Sequence, residues 1–324
     1  MTTPVLDIRG LCTSFMTDAG EVRALDGVTL SVGRGEVVAL VGESGSGKTI
    51  TGFSINGILA PPGKVTAGEV RLNGTDLLGL NAEALRQMRG RRVSMIFQDP
   101  MMTLNPVLRI DTQMTDALQA HETISRRAAR ARAIEALAEV GIAAPEQRVR
   151  AYPHQLSGGM RQRVAIAIAL LHGPDLVIAD EPTTALDVTI QGQILSVVQR
   201  LCRERGTSLI WITHDLAVVA GIADRIAVMY AGRIVEQGTV DEVLDAPKHP
   251  YTRGLIDSVP SPGAKGGMLH QIQGRMPPLT ELPDGCAFGP RCPRRSGQCE
   301  ARPDVSTMPG GREWRCFHPL EGAS

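Results

Sequence analysis

The run GESGSGKT, from Gly42 to Thr49, limits what this chain can fold into more than any other feature of it. It satisfies G-x-x-x-x-G-K-[ST]. The apolar run VVALVG (37–42) leading into it reads as a buried strand, and the residues after it read as a helix. Glycines at such a junction let backbone N–H groups converge on phosphate oxygens, and the helix N-terminus adds the positive end of its dipole. Gly42, Glu43, Ser44, Gly45, Ser46 and Gly47 form the cradle; Lys48 reaches the β- and γ-phosphates and Thr49 ligates Mg²⁺. The alternative, a glycine-rich turn with a chance lysine, leaves the flanking strand and helix unexplained.

A strand that feeds a phosphate loop belongs in a parallel sheet, and the chain supplies further strands of that kind. RVSMIFQD (92–99), DLVIADE (175–181) and TSLIWITHD (207–215) are apolar runs that end in polar residues, as buried parallel strands do when their C-terminal ends carry function. Aromatics make up only 3% of the chain, so the core between sheet and helices must be aliphatic. VTIQGQILSVVQRLCRERG (188–206) is helical and stops at glycine, and IAVMYAGRIVEQG (226–238) reads as a hairpin through Ala231-Gly232. VTLSVGRGE and GEVRLNGTDL alternate and turn at glycines, which predicts antiparallel strands beside the main sheet. Strand signals vanish over 100–155, where RRAARARAIEALAEVGI predicts a helical insertion. From about 246 prolines and glycines multiply, as in VPSPGAKGG, giving a linker and a loop-rich tail.

Lysine plus arginine equals aspartate plus glutamate, 34 each, so the chain has no electrostatic reason to bind nucleic acid or bare anionic lipid. No apolar stretch approaches the roughly 18 residues of a membrane span, and MTTPVLDIRG lacks the basic-then-apolar form of a signal peptide. The expectation is a cytosolic protein with reduced thiols.

The strand ends carry the candidate chemistry. Asp180 can hold Mg²⁺ through water, and the adjacent Glu181 can polarise an attacking water. An N-cap acid is the plain alternative for this pair, and it loses once the upstream phosphate loop is considered. LSGGMRQR (156–163) places a serine and two glycines at a helix start, a second anion-binding N-terminus in a chain that already has one. An ordinary cap by Ser157 is its alternative. This run resembles the signature of ABC transporter nucleotide-binding domains, and the order of motifs is also theirs: phosphate loop, Gln98, signature, acidic pair, ALD (185–187), His214. The resemblance covers roughly residues 5–245 and implies an α/β P-loop NTPase fold of the ABC type. Its mainly parallel core sheet and antiparallel β subdomain would occupy 1–99 and 171–245. A helical signature subdomain would occupy 100–170, and an extension 246–324.

The same resemblance implies an ATPase with residue roles as follows. Gln98 touches Mg²⁺ and water and senses the transmembrane subunit; Ser157, Gly158 and Gly159 clamp the γ-phosphate of ATP bound on a partner subunit. Asp187 bridges the two subunits, His214 contacts the γ-phosphate, and Phe15 stacks on adenine where a tyrosine is commoner. A buried structural histidine and a polar strand end are the plain alternatives for His214 and Gln98.

IFQDPMMTLNP (96–106), YPHQLSGGM, EPTTALDVTIQ and HPYTRGLIDSVP (249–260) narrow the resemblance to the ATP-binding subunits of peptide and nickel importers, the dipeptide type most closely. That implies a second, distinct ATP-binding subunit, two transmembrane permease subunits and indirectly an extracytoplasmic solute-binding protein. The location implied is peripheral, at the cytoplasmic face of the bacterial inner membrane. Peptides, nickel complexes and glutathione all stay open as cargo.

Cys286, Cys292, Cys299 and Cys316 are separated by five, six and sixteen residues. Four thiolates can hold Zn²⁺ or a 4Fe–4S cluster. Zinc ribbons prefer C-x-x-C knuckles, absent here, and some members of the resembled family carry a 4Fe–4S cluster at such cysteines, so the cluster is the favoured reading and zinc the alternative. Unligated cysteines in a floppy tail, or His318 as a stand-in ligand, are further readings. The role expected is a staple for a tail too loop-rich to build its own core.

Overall fold

The computed structural model describes residues 3–18, 20–183, 187–259 and 271–321. Ala185 and Leu186 of the ALD run, and most of the proline- and glycine-rich stretch after Val259, therefore lie outside the described residues. By packing, the chain divides into two units. One comprises residues up to 6, 32–36 and 72–211; the other comprises 7–31, 37–71 and 212 onward.

In the first unit, Val93–Ile96 pairs in parallel with Leu176–Asp180, Val93 opposite Leu176 and Ile96 opposite Ala179. Leu176–Asp180 is buried throughout, as a strand covered on both faces requires. Three helices, Ile110–Gln119, Arg126–Glu139 and Gly158–Leu170, pack together in the same unit. Arg126–Glu139 is the arginine- and alanine-rich run, and only Ala129, Ala133 and Leu137 are buried on it, at the i, i+4, i+8 spacing of one helix face. Arg132 ties this group together by pairing with Glu122 at 2.5 Å and donating to the carbonyl of Leu171 at 3.1 Å. Val188–Arg205 stops at Gly206, whose φ of 65° is the left-handed cap that glycine supplies without strain.

In the second unit, the fully buried strand Val37–Val41 runs parallel to Arg225–Tyr230. Arg225–Tyr230 turns through Ala231 and Gly232, φ 46° and 79°, into antiparallel Arg233–Thr239. Positive φ at both central residues is the geometry of a tight two-residue hairpin turn. Leu6–Thr17 and Gly20–Val32 lie side by side and Gly63–Leu72 flanks the first of them, a sheet separate from the one holding Val37–Val41.

The tail is more built than its composition predicts. Helix Pro250–Asp257 opens it, and the short strand Glu313–Trp314 adds antiparallel to the edge of Arg233–Thr239, with Gln237 opposite Glu313. Tyr251 and Phe288, 0% and 3% exposed, enter the core around Tyr230. The ring centroids stand 4.7 to 5.4 Å apart in edge-on and tilted pairs, each worth about 0.5–1.5 kcal/mol beyond its buried area. The tail thus does not need a core of its own, because it borrows one. Glu236, completely buried, accepts N–H from Lys248 at 2.7 Å and His249 at 2.8 Å and pairs with Arg312 of the tail at 2.9 Å. That set satisfies a carboxylate that would otherwise be costly to bury. Among the described residues, no helix is long and apolar enough to cross a membrane.

Candidate functional site

The phosphate loop leaves the end of Val37–Val41 and opens helix Lys48–Asn56. Two glycines explain its path. A Cβ at Gly42 would stand 2.3 Å from the carbonyl oxygen of Met229, so only glycine lets the loop run this close to the neighbouring strand. Gly47 has φ 106°, which side-chain-bearing residues avoid. No side chain caps the helix and no acid sits in its first turn, which keeps the N-terminus electrostatically open to an anion. Lys48, buried, donates to the carbonyls of Gly42 at 2.8 Å and Glu43 at 3.0 Å, so its ammonium lies across the loop. Ser46 Oγ is buried with no hydrogen-bond partner among the described residues, a polar atom whose burial is unexplained until a ligand is supplied. This donor set fits a nucleotide's phosphates.

Phe15 is half-buried on Leu6–Thr17, and its ring lies so close to Gly63 that a Cβ there would stand 2.6 Å from the ring edge. A flat face on a rigid strand suits stacking.

In the other unit, strand register brings Gln98 and Glu181 together. Each lies two residues beyond the facing pair Ile96 and Ala179, and Gln98 Nε2 donates to Glu181 Oε2 at 3.4 Å. Glu181 has φ 43°, a left-handed conformation that costs a non-glycine residue of order 1 kcal/mol or more and tends to occur where geometry serves function. Asp180 is 5% exposed at the strand end. His214 follows the buried strand Ser208–Thr213 and is exposed.

The signature turn is built differently from the phosphate loop. Ser157 Oγ accepts the N–H of Met160 at 3.3 Å, capping helix Gly158–Leu170, and both Ser157 and Gly158 are exposed. A Cβ on Gly158 would meet nothing within 4 Å, whereas one on Gly159 would stand 3.1 Å from Ile190. Asp187, also exposed, caps Val188–Arg205 through the N–H of Ile190 at 3.0 Å.

All four tail cysteines line one small cavity, with His249 and His318 beside them. Cys286 N–H donates to the carbonyl of Cys299 at 2.9 Å, and the N–H of His318 points at Cys316 Sγ at 3.3 Å. Burial first, then the proximity of the other cysteines, pushes the thiols of Cys286, Cys292 and Cys316 up, the last to about 11. His318 Nε2 is engaged with Ser296 Oγ at 2.6 Å. Among the described residues no three His, Cys, Asp or Glu side chains are drawn together as a finished ligand set. The cavity lining and that finding agree if the thiols share a pocket without being at ligating distance.

Sequence reasoning missed the residues that brace the phosphate loop. Tyr251 Oη accepts the N–H of Glu43 at 2.8 Å, and Arg291 grips the Glu43 carboxylate at 2.6 and 2.9 Å. No local pattern announces these contacts, which join residues more than 200 positions apart.

A P-loop opening a parallel-sheet helix, with a separate serine–glycine helix start, defines an ABC-type ATPase, and the ABC transporter family matches residues 25–184. The oligopeptide/dipeptide transporter C-terminal region matches residues 235–299. The oligopeptide transport ATP-binding protein AppD of Bacillus subtilis is 48% identical over 98% of both chains. The probable D,D-dipeptide transport ATP-binding protein DdpD of Escherichia coli is 49% identical over 98% of this chain and 96% of its own. A solved dimeric ATP-binding cassette in a post-hydrolysis state with ADP and Pi is 28% identical. Its TM-score is 0.65, over 72% of this chain and 98% of that one. The chain belongs to the family of ATP-binding subunits of oligopeptide and dipeptide ABC transporters.

Proposed function

We propose that this chain hydrolyses ATP to power the import of di- or oligopeptides, or a related small solute, from a peripheral position on the cytoplasmic face of the membrane. The observation that carries the reading is the pairing, in a chain related along nearly its whole length to peptide-transport ATPases, of an uncapped phosphate helix with an exposed serine–glycine helix start. One phosphate site per chain would be complete in itself, and the second makes sense if it closes on a neighbour's nucleotide.

In this reading Gly42 to Gly47 and Lys48 bind the phosphates, and Thr49, Gln98 and Asp180 would hold Mg²⁺, which would supply charge neutralisation. Glu181, oriented by Gln98, accepts a proton from the attacking water. His214 steadies the γ-phosphate, Phe15 stacks on adenine, and Ser157, Gly158, Gly159 and Asp187 face the partner cassette. The partner is a related but distinct ATP-binding subunit; two permease subunits receive the closure through the surface near Gln98, and an extracytoplasmic binding protein delivers the cargo.

The test is Glu181→Gln in the assembled transporter. Loss of the base should cut turnover by about 10²–10⁴-fold while ATP binding persists. Unchanged turnover would remove Glu181 from the role, and co-purification of the complex with its ligand would decide the cargo.

The four cysteines form part of the same proposal, as ligands of a 4Fe–4S cluster, with Zn²⁺ the alternative. Their shared cavity and thiol chemistry support it. Ligation would draw the thiols inward and deprotonate them, offsetting the burial that now favours the neutral form. Iron and sulfide in anaerobically purified protein would uphold the cluster, and stoichiometric zinc without iron would overturn it.

A further inference from the structure

The second residue of the phosphate loop is a carboxylate. Glu43 lies between Gly42 and the residues that would meet phosphate, so left to itself its negative charge opposes the ligand the loop is shaped to hold. The tail meets this problem with one side chain. Arg291 Nη1 and Nη2 take the two carboxylate oxygens of Glu43 as a fork, at 2.6 and 2.9 Å.

Arg291 is itself held on every side. Its Nε donates to the carbonyl of Gln273 at 3.0 Å, Nη2 to the carbonyl of Gly274 at 3.3 Å, and Nη1 to Tyr230 Oη at 3.4 Å. A guanidinium has five N–H donors, and these contacts engage all five. Its side chain is 5% exposed and lies over the rings of Tyr230 and Phe288, 5.8 and 5.9 Å from their centroids. A group so fully committed fixes whatever it touches. Two more contacts brace the same loop. Tyr251 Oη accepts the Glu43 N–H, and the methyl of Met276 lies 3.1 Å from where a Cβ on Gly45 would stand.

We propose that Arg291 is a positioning residue for ATP binding: it neutralises Glu43 and, with Tyr251, fixes the phosphate loop in its binding shape, so that the C-terminal extension is a working part of the ATP site. The inference rests on the reading of Gly42 to Thr49 as the ATP cradle.

The test uses the full-length chain with Mg²⁺ and radiolabelled ATP in equilibrium dialysis, and ATPase KM and kcat in the assembled transporter. Arg291→Gln should raise the Kd for ATP at least about tenfold and raise KM with kcat little changed, the pattern of lost binding shared by ground and transition states. Adding Glu43→Gln to that variant removes the uncompensated charge and should return the Kd to within about threefold of wild type. A purely structural role predicts the opposite: fewer active molecules, so a lower kcat at unchanged KM, and no recovery in the double variant. Either result overturns the proposal. If Arg291→Gln fails to fold, Arg291→Lys keeps the charge and loses the fork. A roughly threefold weaker Kd is then expected, and an unchanged Kd counts against the proposal. Failure of the wild-type chain to bind ATP would sink the cradle reading itself, a different outcome from variants that bind as wild type does.

Discussion

The two helix starts that invite an anion, Lys48 and Gly158, are built on opposite plans. The first has no side-chain cap, runs close to the neighbouring strand at Gly42, and is braced from the tail by Tyr251, Arg291 and Met276. The second is capped by its own Ser157, carries exposed residues at its turn, and has open space around Gly158. The difference teaches how a chain prepares for a ligand it holds alone, as against one it meets through a neighbour. A site that must bind by itself gains from pre-organisation, because rigidity already present need not be supplied by binding energy. A surface that closes on a partner's ligand must stay accessible, so a local cap has to maintain it.

The brace can be attacked through the tail's buried ion pair. Arg312→Ala would strand the fully buried Glu236, and losing one member of such a pair costs about 3–5 kcal/mol. The expected outcome is a large fall in melting temperature, together with weaker ATP binding because the tail no longer holds the loop. Full ATP affinity in a folded Arg312→Ala chain would separate the tail from the cradle and break the comparison.

The capped start is tested by a substitution that keeps the cap. Aspartate caps helices about as well as serine, so Ser157→Asp should leave the unfolding free energy within about 0.5 kcal/mol of wild type. It places a carboxylate where a partner's phosphate is proposed to sit. ATP binding by the single chain should be unchanged, while turnover of the assembled transporter falls about tenfold or more. Equal loss of both would mean that the turn serves the chain's own nucleotide.

A pH-dependent effect concerns the joint between core and tail. Burial pushes His249 down to about 3, and its Nδ1 accepts the N–H of Tyr251 at 3.0 Å. Below pH 6.5 the unfolded chain takes up a proton there that the native chain refuses, so this contribution to stability is complete above 6.5 and shrinks as pH falls toward 3. Between pH 6.5 and 5 the loss is about 2 kcal/mol. Thermal melts across that range should show it, and His249→Asn, which can still accept the N–H, should flatten the slope.

Much of the architecture was legible because it is local. VVALVG became Val37–Val41, DLVIADE became Leu176–Asp180, and the hairpin turns at Ala231-Gly232 as its sequence required. Gln98 and Glu181 were each identifiable as polar strand ends, but their meeting at 3.4 Å depends on parallel register, which no single strand encodes. The tail was the least legible region. Its loops suggested a segment unable to build a core, and nothing in the run around Phe288 announces that it packs against Tyr230 and Tyr251.

The sequence alone therefore determined the phosphate cradle, because binding there is done by backbone whose path follows from glycines and a helix start within eight residues. Only the tertiary structure decided that this cradle is held from outside. Glu43 and Arg291 are 248 residues apart, and a fork between them becomes worth forming when packing excludes water from the guanidinium.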